Sequence, residues 1–204
     1  METDKELMNQ VKVTWHCPSN IAIVKYWGKK GTQIPCNSSL SLTLSNSFTT
    51  VEAELSEKTS GEAVQLSYYF EGEINEKFSQ RVAKFLSDNR EFFPFIDEKA
   101  ITINSSNSFP HSAGIASSAS AFGAISLALL DITYSLQGKE KDETFYKEAS
   151  NLARLGSGSA SRSMFPGFAL WGANEKIQNS SDQYAIEIKD VHPVFQNMKD
   201  AILI

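Results

Sequence analysis

The chain has 204 residues, 41% hydrophobic and 21% charged, with a formal net charge of -5. This is globular composition, long enough for one self-supporting core or for one domain plus a piece of another. An acidic chain repels a phosphate backbone, so no nucleic-acid partner is expected. The start, Met1-Glu2-Thr3-Asp4-Lys5-Glu6, lacks the apolar core of a signal peptide, and no apolar run reads as long enough to span a membrane. A cytoplasmic location is therefore expected. Cys17 and Cys36 fit neither a disulfide framework nor a metal pattern and are expected as reduced thiols. Three Asn-x-Ser sites, at Asn37, Asn104 and Asn179, are expected to stay bare without secretion.

Taken in order, the first elements read as strands. Val11–Trp15 alternates apolar and polar residues, Asn20–Trp27 is β-rich, and Leu40, Leu42 and Leu44 alternate within Ser39–Leu44. Phe48–Leu55 and Val64–Phe70 continue a largely antiparallel sheet across a polar turn. Asn75–Asn89 reads as a helix with Phe78, Val82, Phe85 and Leu86 on one face. Ala100–Asn104 is a short strand, and Phe92, Phe93 and Phe95 are expected in the core. The strongest helix follows Pro110: Ile115, Ala119, Phe122, Ile125, Leu129 and Ile132 recur every three or four residues. A further helix spans about Asp142 to Leu155, and Phe168–Trp171 and Tyr184–Ile188 return as strands. Strands first and helices later indicate an α+β fold. The final Lys199–Ile204 reads as a strand cut short, so the chain is expected to be a fragment.

Three segments carry chemistry. In Asn107–Ser120 a Pro-containing loop enters a helix whose first turn is expected at Gly114, Ala116, Ser117 and Ser118. A helix start offers unpaired N–H groups and the positive dipole end, and small side chains leave them reachable by phosphates. There is no Gly-x-x-x-x-Gly-Lys-Ser/Thr, so this is not a P-loop. In Asn20–Lys29, Lys25 and Lys29 bring cations to a strand end, Tyr26 adds a hydroxyl, and Gly28 allows a tight turn. In Ala153–Ser163, Gly-Ser-Gly-Ser joins a helix to an apolar stretch, and Arg162 offers a planar fork to phosphate or carboxylate. His16, His111 and His192 show no metal or triad spacing; a hydrogen-bonded structural role for His111 is favoured over a catalytic one.

These motifs carry a resemblance. Pro110-His-Ser-Ala-Gly114-Ile115-Ala116-Ser117-Ser118-Ala119 resembles the central motif of the GHMP kinase superfamily, with Ala116 in place of its second glycine. Asn20-Ile-Ala-Ile-Val-Lys25-Tyr26-Trp27-Gly28-Lys29 and Ala153-Arg-Leu-Gly-Ser157-Gly158-Ser159-Ala-Ser-Arg162-Ser163 resemble the two substrate signatures of the diphosphomevalonate decarboxylase family. His111-Ser112 and Pro166 depart from that pattern. The resemblance covers roughly Lys12 to Ile204. It implies a GHMP-kinase-like N-terminal lobe over residues 1–190, with 191–204 beginning a C-terminal lobe.

The resemblance also implies an ATP- and Mg2+-dependent decarboxylation of mevalonate 5-diphosphate to isopentenyl diphosphate, a step of isoprenoid biosynthesis. Ser105 and Asn107 are expected near the nucleotide base, and Gly114, Ala116, Ser117 and Ser118 around its phosphates. Ser117 is the hydroxyl expected beside the transferred group. Tyr26, Lys29, Ser157, Gly158 and Ser159 are expected on the substrate diphosphate and Arg162 on its carboxylate, with Asn20 and Lys25 supporting the reacting centre. No protein metal ligands are expected; magnesium would arrive on the ATP phosphates. The family's catalytic aspartate is expected beyond residue 204, so the fragment alone is expected to be inactive. The partners implied are the small-molecule substrate and, for the full-length protein, a second copy in a homodimer, with no nucleic acid and no membrane. Alternatives are a mevalonate 3-kinase or phosphomevalonate decarboxylase on the same scaffold, or a non-catalytic nucleotide-binding paralogue.

Overall fold

The structure is a computed structural model that describes residues 11–110 and 115–201. His111 and Gly114 lie outside the described residues, as does the expected strand end at 202–204. Among the described residues, nine strands and three α-helices follow in order: β1 (Lys12–Val24), β2 (Lys29–Lys30), β3 (Ile34–Pro35), β4 (Ser39–Glu57), β5 (Leu66–Phe70), β6 (Glu73–Ile74), α1 (Glu76–Asp88), β7 (Lys99–Asn107), α2 (Ser117–Leu136), α3 (Glu143–Gly156), β8 (Phe168–Trp171) and β9 (Ala185–Ile188). A seven-stranded sheet runs β6-β5-β7-β4-β8-β9, with β1 also paired to β4. Every pairing is antiparallel except β5 with β7. The α+β expectation holds.

The segments expected as four short strands are two long ones. Strand β1 runs unbroken through Pro18-Ser19-Asn20, and β4 runs through Ser45–Ser47. The break between the first two expected strands falls where the register shifts: Pro18 faces Phe48, but Asn20 already faces Thr43. Strand β4 then serves two neighbours, pairing through residues 49–57 with β7 and through 39–42 with β8. Strand β7 likewise extends past Asn104 to Asn107, which opposes Thr49.

Helix α1 begins where Asn75 Oδ1 accepts from Phe78 N at 3.0 Å, an N-cap that satisfies one of the free donors of the first turn. Its Val82, Phe85 and Leu86 enter the core as their spacing requires. Phe93 and Phe95 are buried there as expected, and Phe92 packs against them half-buried. Helix α2 is the central element. It is buried nearly throughout and packs on β1, β4 and α3. By length and composition it could cross a membrane, which corrects the sequence reading, yet 89% of that apolar window is buried inside the protein. A helix apolar on all sides fits a globular core equally well. Both cysteines are free, Cys17 buried and Cys36 exposed.

Candidate active site

The Gly-Ser-Gly-Ser segment is not a flexible link. Residues Gly158–Met164 form a 3-10 helix that starts directly after α3, and Gly158, Ala160, Ser161, Arg162 and Ser163 in it are buried. Ser157 has left the helix into extended backbone, and its N–H still donates to Ala153 O at 2.9 Å. Ser161 Oγ ties the turn back to Gly158 O at 2.9 Å, and Ser150 Oγ donates to Ser161 O at 2.8 Å. Such a dense set of local hydroxyl bonds replaces the α-helical ladder that the glycines interrupt.

Arg162 is the centre of the cluster. It is only 1% exposed. Its Nη1 donates to Ser39 Oγ at 2.8 Å, and Nε and Nη2 donate to Asn20 Oδ1 at 3.4 and 3.3 Å. Those contacts occupy three of the five guanidinium N–H groups. One N–H on each terminal nitrogen therefore has no acceptor among the described residues, and none of their ion pairs involves Arg162. Burial lowers its pKa to about 10, against an opposing rise from Tyr26, so it remains cationic at neutral pH. A buried cation with neutral partners is costly unless an anion joins it.

Asn20 holds this arginine in place. Its Nδ2 donates to Ser163 Oγ at 2.8 Å and Ser159 O at 3.1 Å, which orients Oδ1 toward the guanidinium. The Tyr26 ring lies 5.9 Å from Arg162 Cζ and 5.5 Å from Lys29 Nζ, within reach of both cations. Its own support is Trp171, edge-on at 5.1 Å. Trp171 is fully buried, and its indole N–H donates to Asp182 O at 2.8 Å. Gly158 closes the arrangement. A Cβ there would stand 3.0 Å from Trp171 and 3.3 Å from Lys29 Nζ, so a side chain at this position would press on both, and glycine lets the ammonium lie close to the loop backbone.

Helix α2 meets this group at its first turn. The helix begins at Ser117, later than expected, with Ala116 as N-cap in the left-handed region at φ 46°. Ser118 Oγ lies 3.5 Å from Ser157 Oγ, which joins the expected phosphate segment to the expected substrate loop. Ser19 Oγ donates to Ile115 O, anchoring the approach to the helix on β1. Asn107 is linked as well: Thr49 Oγ1 donates to Asn107 Oδ1 at 2.8 Å and stands 2.6 Å from Ser120 Oγ, which donates to Ser117 O at 3.2 Å.

Two expected residues stand apart. Ser105 is 5% exposed, with its hydroxyl beside that of Tyr68. Lys25 is exposed; only its carbonyl is held, by Asn37 Nδ2 at 3.1 Å. The geometry also adds a cation that the sequence reading missed. Arg81 of α1 donates to Gly156 O at 3.0 Å and lies 4.6 Å over the Phe122 ring, one helical turn from Ser118. Gly156 itself is pressed on Phe122, where any Cβ would clash. Arg81 sits in an ordinary amphipathic helix, and no motif marks it. Among the described residues no group of three or more His, Cys, Asp or Glu could hold a metal ion.

The fold and this cluster define the class: an α+β lobe that gathers cations, hydroxyls and small residues at one place on an acidic chain. Comparison with known proteins gives the family. Residues 17–185 match the model of the diphosphomevalonate decarboxylase-like N-terminal domain. The diphosphomevalonate decarboxylase of Ganoderma lucidum is 38% identical over a 195-position alignment that covers 89% of this chain and 46% of that protein. The crystal structure of mevalonate diphosphate decarboxylase from Staphylococcus aureus superposes with a TM-score of 0.72 at 33% identity, covering 91% of this chain and 52% of that one. A further solved structure, MDDEF in complex with MVAPP, AMPPCP and magnesium, aligns with a TM-score of 0.69 at 33% identity over 88% of this chain and 51% of its own. The chain belongs to the diphosphomevalonate decarboxylase-like N-terminal domain family. It spans about half the length of the curated relatives it matches.

Proposed function

We propose that this chain supplies the ATP- and substrate-binding lobe of an ATP-dependent diphosphomevalonate decarboxylase. The reaction phosphorylates the tertiary 3-hydroxyl of mevalonate 5-diphosphate. Phosphate then leaves with its C–O electron pair, the carboxylate departs as CO2, and the electrons of the broken C–C bond form the double bond of isopentenyl diphosphate. A tertiary hydroxyl is a poor leaving group, and ATP with magnesium supplies the activation. Positioning and charge neutralisation are the work left to the protein.

The observation that carries this reading is the buried Arg162 with a free N–H on each terminal nitrogen. That fork suits a carboxylate, and Asn20 and Ser39 hold it rigid. Lys29, Tyr26, Ser157, Gly158 and Ser159 stand beside it for the diphosphate, with Arg81 as an added cation. The first turn of α2, with Ala116, Ser117 and Ser118, fits a nucleotide phosphate: its side chains are small, its N–H groups are those of a helix start, and Ser118 adjoins the substrate loop. Magnesium fits there on the nucleotide rather than on protein ligands. Asn107 is assigned beside the nucleotide, Ser105 only by resemblance, and Lys25 to the reacting centre from its exposed strand end.

The test is equilibrium titration of the chain with mevalonate 5-diphosphate, its 5-monophosphate and mevalonate. The diphosphate is expected to bind tightest, by about tenfold or more over mevalonate, because only it engages Lys29 and the serine loop. Equal affinity for all three would contradict the assignment and favour an enzyme acting on a less phosphorylated acid.

A further inference from the structure

Lys29 sits on a hairpin that the main sheet does not support. The β2–β3 ladder has two residue pairs, Lys29 with Pro35 and Lys30 with Ile34. Its turn carries Gly31 and Gln33, both at positive φ, 51° and 58°. A two-stranded hairpin of this size does not hold its shape alone in water. Its base is secured where Cys36 N donates to Gly28 O at 3.3 Å, and where Asn37 Oδ1 accepts from Trp27 N at 2.7 Å. Its tip is different. Among the described residues, one hydrogen bond joins that turn to the rest of the chain, from Arg154 Nη1 to Thr32 O at 2.5 Å.

Arg154 lies in the last turn of α3 and is 5% exposed. Its Nε donates to Gln183 O at 2.9 Å, and Nη2 donates to Asn151 Oδ1 at 2.7 Å. Burial lowers its pKa, and the charge of Asp182 works in the opposite direction. A guanidinium has donors in a fixed plane, so it can hold two carbonyls from separate segments at a set spacing. Here those carbonyls belong to the hairpin tip and to the segment between β8 and β9. Three residues after Arg154, Ser157 opens the loop whose Gly158 lies against Lys29. One turn of helix therefore fixes both the lysine's hairpin and the surface on which the lysine rests.

We propose that Arg154 is a positioning residue for Lys29. It staples the β2–β3 turn to the end of α3, so that the ammonium is held beside the Ser157–Ser159 loop before any ligand arrives. The proposal rests on the reading of that surface as a diphosphate site. Preorganisation of this kind appears as affinity, because a free hairpin must be ordered on binding.

Two measurements on the 204-residue chain test it: hydrogen–deuterium exchange of the 29–36 amides, and titration with inorganic pyrophosphate. In Arg154→Gln, hairpin exchange is expected to quicken by about tenfold while α2 stays protected, and pyrophosphate affinity to fall by about tenfold. Arg154→Lys, which keeps the charge and one donor direction, is expected to lie between and covers the case in which the glutamine variant folds poorly. In a Lys29→Ala background, Arg154→Gln is expected to lower pyrophosphate affinity no further, since it acts through that lysine. Unchanged hairpin exchange in a folded Arg154 variant, or a full additional loss on top of Lys29→Ala, would overturn the proposal. If the unaltered chain does not bind pyrophosphate, the diphosphate reading fails, and the exchange comparison still decides whether Arg154 holds the hairpin.

Discussion

Arg162 and Ala116 show how single residues set the properties of the site. A lysine in place of Arg162 keeps the charge but cannot bond Ser39 and Asn20 while also leaving two further N–H groups free on separate nitrogens. Arg162→Lys in the complete protein is expected to cost about 2–4 kcal/mol in transition-state binding, read from kcat/KM, with ATP affinity nearly unchanged. Normal turnover with weakened ATP binding would move Arg162 to the nucleotide. Ala116 adopts φ 46° and ψ 44°, a conformation that an L residue enters at a cost. Ala116→Gly removes that strain but adds disorder to the unfolded chain. The net expectation is a gain of roughly 0.5 kcal/mol in urea denaturation. A loss instead would show that the Ala116 methyl, which packs against the core, contributes more than the strain removes.

Elements decide where these residues stand, and helix α3 does most of the placing. Asp142 Oδ1 accepts from Thr144 N at 2.8 Å and Phe145 N at 3.3 Å, which starts the helix one residue after the sequence expectation. Those backbone donors lower the Asp142 pKa below the ordinary carboxylate value. A depressed folded pKa contributes stability that is present above the unfolded value and is lost as pH falls through the folded one. Asp142→Ala is therefore expected to lower the melting temperature at pH 7 and to leave it nearly unchanged well below pH 4, where the native cap is protonated. An equal drop at both pH values would mean that the carboxylate charge plays no part.

Periodicity made the helices legible. The phase of Val82, Phe85 and Leu86 and the cap residues Asn75 and Asp142 are local signals. The continuity of β1 and β4 was hidden, because Pro18-Ser19 and Ser45-Asn46-Ser47 break the apolar alternation, although the backbone runs through both as strand. The Arg154 and Arg81 contacts were hidden for a related reason. Their acceptors are backbone carbonyls of Thr32, Gln183 and Gly156, and a carbonyl leaves no trace in residue type.

At the scale of the molecule, an acidic chain brings Lys29 and Arg162 to the one Tyr26 ring, and no ion pair among the described residues neutralises either of them, Arg81 or Lys25. The Asn20–Lys29 and Ala153–Ser163 motifs were legible as anion-binding segments. That they share one site required the long-range pairing of β1 with β4 and the end of α3 beside the start of α2. A cavity of about 560 Å³ lies apart from them, between Glu143, Tyr146, Pro166 and Lys189. The most direct test of the account is ATP-dependent release of labelled CO2 by the complete protein, offered mevalonate 5-diphosphate, mevalonate 5-phosphate and mevalonate in parallel. Release from the diphosphate alone is predicted. Comparable release from mevalonate, or phosphorylation without loss of CO2, would contradict it.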